Sequence, residues 1–209
     1  MVLPALLAGC GGGTSEATST LTESELESVL VTLDDLPAGF EPISGSGAGA
    51  ASDARASLND ATCLAGLDLT NADDAPKAET SFNRANVLTI TSTATSYPSD
   101  DVAADFDEAS QALASCSDFE VKADNGSGIT GRLDSDTTPA SNDVDAQINV
   151  RLTGTQPPSG LPVEITFGFA RIGNDVVSVS AEGLGGPSEE SFQELMRATT
   201  ERLVAVHEG

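Results

Sequence analysis

From residue 144 to 183 apolar and polar side chains change places at nearly every step, and a side-chain period of two suits a half-buried strand. The alternation is cleanest in Val163, Ile165, Phe167, Phe169 and Arg171. Gly173 and Asn174 then interrupt two such runs, a two-residue hairpin signal that makes the runs antiparallel neighbours. "VDAQINVRLTG" at 144–154, "PVEITFGFARIG" at 162–173 and "DVVSVSAEG" at 175–183 therefore form a meander. "FEVKA" at 119–123 and "GITGRLDS" at 128–135 extend it upstream, with short links. Earlier still, "AETSFNR" at 78–84 and "NVLTITSTATSY" at 86–97 read as two further strands, the second rich in β-branched residues and closed by Pro98.

Helical spacing appears in three places. Thr22 and Glu25 form a T-x-x-E capping box before Leu26, Val29, Leu30 and Leu33, and the helix stops at Pro37 and Gly39. Val102, Phe106, Ala109, Leu113 and Cys116 form one stripe behind Ser99, Asp100 and Asp101, which supply a cap and first-turn anions. After Pro187, Phe192, Leu195, Met196, Thr199, Leu203 and Val206 make the inward face of a last helix, with Glu189, Glu190, Glu194 and Arg202 outside. Residues 44–57 read as a loop, leading to a short helix near Leu58. The sum is an α+β fold: an antiparallel sheet of about six strands with helices packed on one face and one disulfide, in a single domain over 22–209.

The N-terminus carries an address. Leu7, Ala8, Gly9 and Cys10 read as a lipobox, in which small residues let a signal peptidase reach the backbone before an acylated thiol. Residues 1–10 are then a truncated lipoprotein signal, lacking the usual basic start, and the true N-terminus is expected upstream of Met1. Residues 11–21, "GGGTSEATSTL", read as a flexible tether. Three cysteines test the idea: with Cys10 lipidated, Cys63 and Cys116 remain as one pair, which suits an oxidising extracytoplasmic compartment. The alternative for the pair is two buried thiols. Neither has the spacing of a zinc site or a redox C-x-x-C. No apolar run approaches the ~20 residues of a membrane span, so lipid alone would hold the protein to the outer face of the cell membrane.

Thirty-three acidic residues against nine basic ones give a formal charge of -24, which excludes nucleic acid as a partner. Catalytic motifs are missing. His207 is the single histidine, and its place in the last turn of the last helix suits the helix dipole better than chemistry. Ser46 and Ser127 lie in Gly-rich stretches without a G-x-S-x-G elbow or a phosphate-binding loop. "LDSDTTP" imitates an aspartate-based phosphatase, with Asp134 as nucleophile and Asp136 as acid, but that chemistry needs a buried parallel strand. Asp134, Asp136, Asp143 and Asp145 lack EF-hand spacing for calcium. No cofactor and no metal are expected.

"LTESELESVLVTLDDLPAGFEP", a following cysteine, a Thr-rich strand, a helix ending "ALASCSDFEV" and a meander closed by a helix together resemble a family of actinobacterial extracytoplasmic sensor domains. Such domains form the outer end of mycobacterial Ser/Thr protein kinases and also occur as free lipoproteins. The resemblance implies a curved antiparallel sheet framing a ligand cleft, usually two disulfides, and no catalytic residues; this chain has cysteines for one pair. The expected function is a membrane-anchored lipoprotein with a non-catalytic, ligand-binding or sensor-like domain, its partner a small molecule or an envelope protein. Thr89, Thr91, Thr93 and Thr95 share one face of their strand and are candidates for a polar ligand wall, with ordinary solvent-facing residues as the alternative. Arg151 and Arg171 are the candidate ligand-binding cations, with surface ion pairs as their alternative role. Competing readings are a lipid or glycolipid carrier, an envelope hydrolase or phosphatase using the Asp cluster, and a docking partner using a sheet edge.

Overall fold

A computed structural model of the chain describes residues 20–43, 69, 74–122, 128–139, 141, 143–156, 159–183 and 186–209. Cys10, Cys63, the loop at 44–57 and the helix expected near Leu58 lie outside the described residues. The first helix, α1 (Glu23–Val29), starts at the capping box: the Glu25 amide donates to Thr22 Oγ1 (3.3 Å) and the Thr22 amide to Glu25 Oε2 (2.7 Å). It is shorter than its apolar spacing suggests, because Leu30 is extended at φ −67°, ψ 158°. A 3-10 turn over Leu33–Asp35 follows, and the Thr32 amide donates to Asp35 Oδ2 (2.7 Å).

Eight strands form one antiparallel sheet: β1 (Glu41–Pro42), β2 (Lys77–Arg84), β3 (Leu88–Ser96), β4 (Asp118–Lys122), β5 (Gly128–Asp136), β6 (Ala146–Gln156), β7 (Leu161–Ile172) and β8 (Asp175–Gly183). Their spatial order is β1-β2-β3-β8-β7-β6-β5-β4. The expectation of about six strands is thus corrected upward. β1 left no periodic signal because it is two residues long and ends in a proline, which only an edge strand tolerates. The β2–β3 hairpin turns through Ala85 and Asn86 at φ 53° and 56°, the doubly left-handed form that matches strand twist.

The helices do not share one face, a second correction. α1 and α3 (Glu189–Glu208) pack with Phe82, Ile90, Val177, Val179 and Ala170, whereas α2 (Asp101–Ala114) packs with Phe167, Phe169, Ile148, Val150 and Val176. Residues 176 and 177 point to opposite sides of β8, so these clusters lie on opposite faces of the sheet. Each helical layer covers about half of its face. The expected disulfide is not shown: Cys63 is outside the described residues, and Cys116 sits partly buried against the α2 cluster.

α3 seats closely because Gly168 has no side chain: Met196 occupies the space that a Cβ at Gly168 would need. Arg202, on the same helix, forks onto the chain after α1. It donates to both oxygens of Asp35 (2.7 and 2.9 Å) and to the Leu30 carbonyl (2.7 Å). Burial alone would push the Asp35 carboxyl up, but the bonds from Arg202 and Thr32 outweigh it and hold it below the usual carboxylate value.

Two outcomes follow for stability. A carboxyl with a depressed folded value stabilises the fold above the ordinary pKa of about 4 and loses that contribution as pH falls through the lower value. Asp35→Asn should therefore lower unfolding free energy near neutral pH by about 1.5–3 kcal/mol and flatten the acid limb between wild type and variant in urea titrations. Ala85→Gly should raise stability by about 0.5–1 kcal/mol, since a left-handed alanine is strained and glycine is not; thermal unfolding reads this directly.

Candidate functional site

Sheet register explains where an open polar surface comes from. One row of directly paired residues crosses the sheet as Phe82, Ile90, Ala181, Thr166, Arg151 and Asp134. Its first three members are apolar and covered by α1 and α3. The last three lie beyond the helix and turn polar. The neighbouring row runs Ser92, Val179, Gly168, Asn149 and Asp136, with Met196 seated over Gly168 at the changeover.

Between the first half of α3 and strands β5–β7 this leaves a groove of about 290 Å³, lined by Asp134, Asn149, Arg151, Thr166, Glu189 and Gln193 among others. Arg151 stands in its middle, its guanidinium bonded to Glu164 through Nε (3.0 Å) and Nη2, with Glu189 at 3.9 Å. Asn149 is only 9% exposed although it lines the groove; its Oδ1 accepts from Gln147 Nε2 at 3.4 Å. The Thr138 amide donates to Asp136 Oδ1 (2.9 Å) and holds that carboxyl below its ordinary value, so it is an anion and an acceptor at neutral pH. Further along α3 a second open cavity of about 620 Å³ is lined by Pro139, Ser141, Asp143, Arg197, Thr200 and Glu201.

The candidate ligand residues are divided between the two faces. Arg151 is in the groove. Thr91, Thr93 and Thr95 point to the α2 face and are buried, at 2%, 0% and 0% exposure, and Thr89 is half-buried. Their hydroxyls work within the protein: Ser81 and Thr91 share a bond of 3.0 Å, and Thr93 donates to Glu79 at 3.4 Å. Arg171 is also on the α2 face, donating to Asp145 Oδ2 (3.4 Å) and the Gly173 carbonyl (2.7 Å) with its guanidinium 6.0 Å from the Phe106 ring centre. Sequence reasoning missed Asn149, Thr166, Glu189 and Gln193 as groove residues. Asn149, Arg151 and Thr153 are simply the polar phase of β6, and nothing in that phase tells a groove wall from an open surface.

The Asp cluster does not converge. Asp134 and Asp136 line the groove from β5, Asp143 accepts from Ser141 (2.9 Å), and Asp145 accepts from the Gly173 amide (2.7 Å). Among the described residues no group of three or more His, Cys, Asp or Glu is placed to hold a metal ion. His207 is engaged elsewhere, its Nε2 3.0 Å from Asp175 Oδ2 at the start of β8. Burial raises the Asp175 carboxyl, while Ser96 and His207 pull against that rise.

No helix among the described residues is long and apolar enough to cross a membrane. No protein-family model and no curated protein matches the chain. Among solved structures, the extracellular domain of PknH from Mycobacterium tuberculosis is similar at a TM-score of 0.52 and 13% identity, covering 91% of this chain and 99% of that one. At that identity the likeness is one of fold, and it spans the whole of the neighbour's domain.

Proposed function

We propose that the chain is an extracytoplasmic, non-catalytic ligand-binding domain of the sensor type, held at the membrane by a lipid on Cys10, with its ligand in the groove between α3 and β5–β7. The observation that carries the binding role is the uncovered polar half of the sheet, where Thr166, Arg151 and Asp134 stand in one register row beside α3. The non-catalytic reading draws on the chain's one histidine being committed to Asp175 rather than to any serine or cysteine. The fold likeness to an extracellular domain and the resemblance of residues 22–208 to sensor domains support the outward location. The lipid anchor draws on Leu7-Ala8-Gly9-Cys10 and the glycine run that follows.

A lipid carrier needs an enclosed apolar cavity; among the described residues the cavities along α3 are open and carry charged groups, including the third, where Asp35, Arg84 and Glu194 stand beside Phe40, Leu88 and Ile90, which disfavours it. A phosphatase needs its nucleophile at the end of a parallel strand, and β5, which carries Asp134 and Asp136, is antiparallel to both neighbours.

Three measurements test this reading. The protein should show no magnesium-dependent turnover of p-nitrophenyl phosphate; turnover that disappears in the Asp134→Asn, Asp136→Asn double variant overturns the non-catalytic role. A small-molecule extract of the cell envelope should raise the melting temperature of wild type, and Thr166→Trp, which fills the groove, should abolish the rise; an equal rise in both sinks the groove as the site. Cys10→Ser in the full-length precursor should move the protein from the detergent to the aqueous phase on phase partitioning, and unchanged partitioning removes the anchor.

A further inference from the structure

The groove chemistry points to a ligand class: we infer that it binds a neutral oligosaccharide, an inference resting on the ligand-binding reading above. Charge narrows the choice first. Arg151 is bonded to Glu164 with Glu189 at 3.9 Å, and Asp134 and Asp136 line the same groove; four carboxylates against one guanidinium repel phosphate and carboxylate ligands. A cation fares no better at the centre, because Arg151 occupies it, opposite Asp134 in the register and bonded to Glu164. What fits alternating acceptors and donors without a net charge is a ligand rich in hydroxyls. Each hydroxyl donates its proton to a carboxylate oxygen and accepts from an N–H of arginine or amide.

Asn149 supplies the second, independent observation. The residue is only 9% exposed and lines the groove, and its Oδ1 accepts from Gln147 Nε2, which leaves the Nδ2 hydrogens for a group in the groove. An amide N–H2 at a cavity wall is a donor, and a sugar oxygen can accept from it. Pro187 adds an apolar edge at the same wall, while Phe192 beneath it is buried in the core under α3.

Shape favours a chain of sugars over a single one. The two cavities follow one another along α3, the first lined by Glu189 and the second by Val204, which at 1.5 Å per helical residue places them along roughly 22 Å. Both are open to solvent, so a linear ligand can enter and leave at the ends. Gln193 and Arg197, one turn apart on α3, present an amide and a guanidinium to successive cavities.

The test is a titration of isotope-labelled protein with tetrasaccharides of glucose, galactose, mannose, arabinose and N-acetylglucosamine, alongside spermidine and inorganic phosphate as separate probes. At least one tetrasaccharide should shift the resonances of Asp134, Asn149, Thr166 and Gln193, and Asn149→Ala should weaken it at least about tenfold. Asp134→Ala, at an exposed position that cannot disturb the core, should do the same. No shift with any tetrasaccharide at millimolar concentration, or shifts unaffected by both variants, overturns the inference. Spermidine or phosphate binding in the groove instead overturns the sugar while leaving the groove as a binding site. A silent groove here, together with envelope extract stabilising wild type and Thr166→Trp equally, removes the site itself.

Discussion

Met196 over Gly168 decides where everything else on that face can go. Met196 enters the space that a side chain at residue 168 would fill, so α3 seats on β7 at that glycine, under the middle of the helix. With α3 held there, Phe192, Leu195, Met196 and Leu203 face Ile90, Val177 and Val179, and each such side chain contributes about 1.5–3 kcal/mol relative to exposure. The helix cannot also reach β5 and β6. Their outward residues are correspondingly Asp134, Asp136, Arg151 and Thr153, so the groove is the remainder of a packing problem solved around one glycine.

The opposite face shows the same arrangement reversed. Under α2 the strands present Phe167, Phe169, Ile148, Val150 and Leu152, and toward β3 they present Thr91, Thr93, Ser178 and Ser180, all buried. Each face is apolar where its helix lies and polar where it does not. Buried hydroxyls are tolerable when they bond to one another, as Ser81 and Thr91 do across β2 and β3, whereas Ser178 Oγ is buried without a partner among the described residues. Threonine's β-branch keeps the strand conformation while its oxygen takes the bond.

Strands with period-two alternation and helices with a clear stripe were legible because each residue's direction follows from backbone geometry alone. β7 and β8, the stripe from Val102 to Leu113 and the Thr22–Glu25 box are of this kind. What escaped were features set by partners distant in sequence. β1 exists because β2 offers it an edge, and α1 stops at Val29 because the Val31 amide turns to Ser92 Oγ (3.2 Å) on the central sheet. The division of Arg151 from Arg171 was in principle readable, since they are directly paired to Thr166 and Ala146 and fall on opposite phases. That inference needs the register, and register is a tertiary fact. The groove needed one fact more: how far across the sheet α3 reaches.

One corner of the molecule carries a mechanical consequence. The Leu21 amide donates to Ser96 Oγ (2.9 Å), Ser96 is paired with Asp175, and Asp175 bonds to His207 in the last turn of α3. Leu21, just ahead of α1, and the last turn of α3 are thus fastened to the same spot. That spot is the end of β3, a strand flanked by β2 on one side and β8 on the other. Displacing Leu21 therefore means breaking a bond to an inner strand held by hydrogen-bond ladders on both sides, not to an edge strand that could be peeled away one bond at a time.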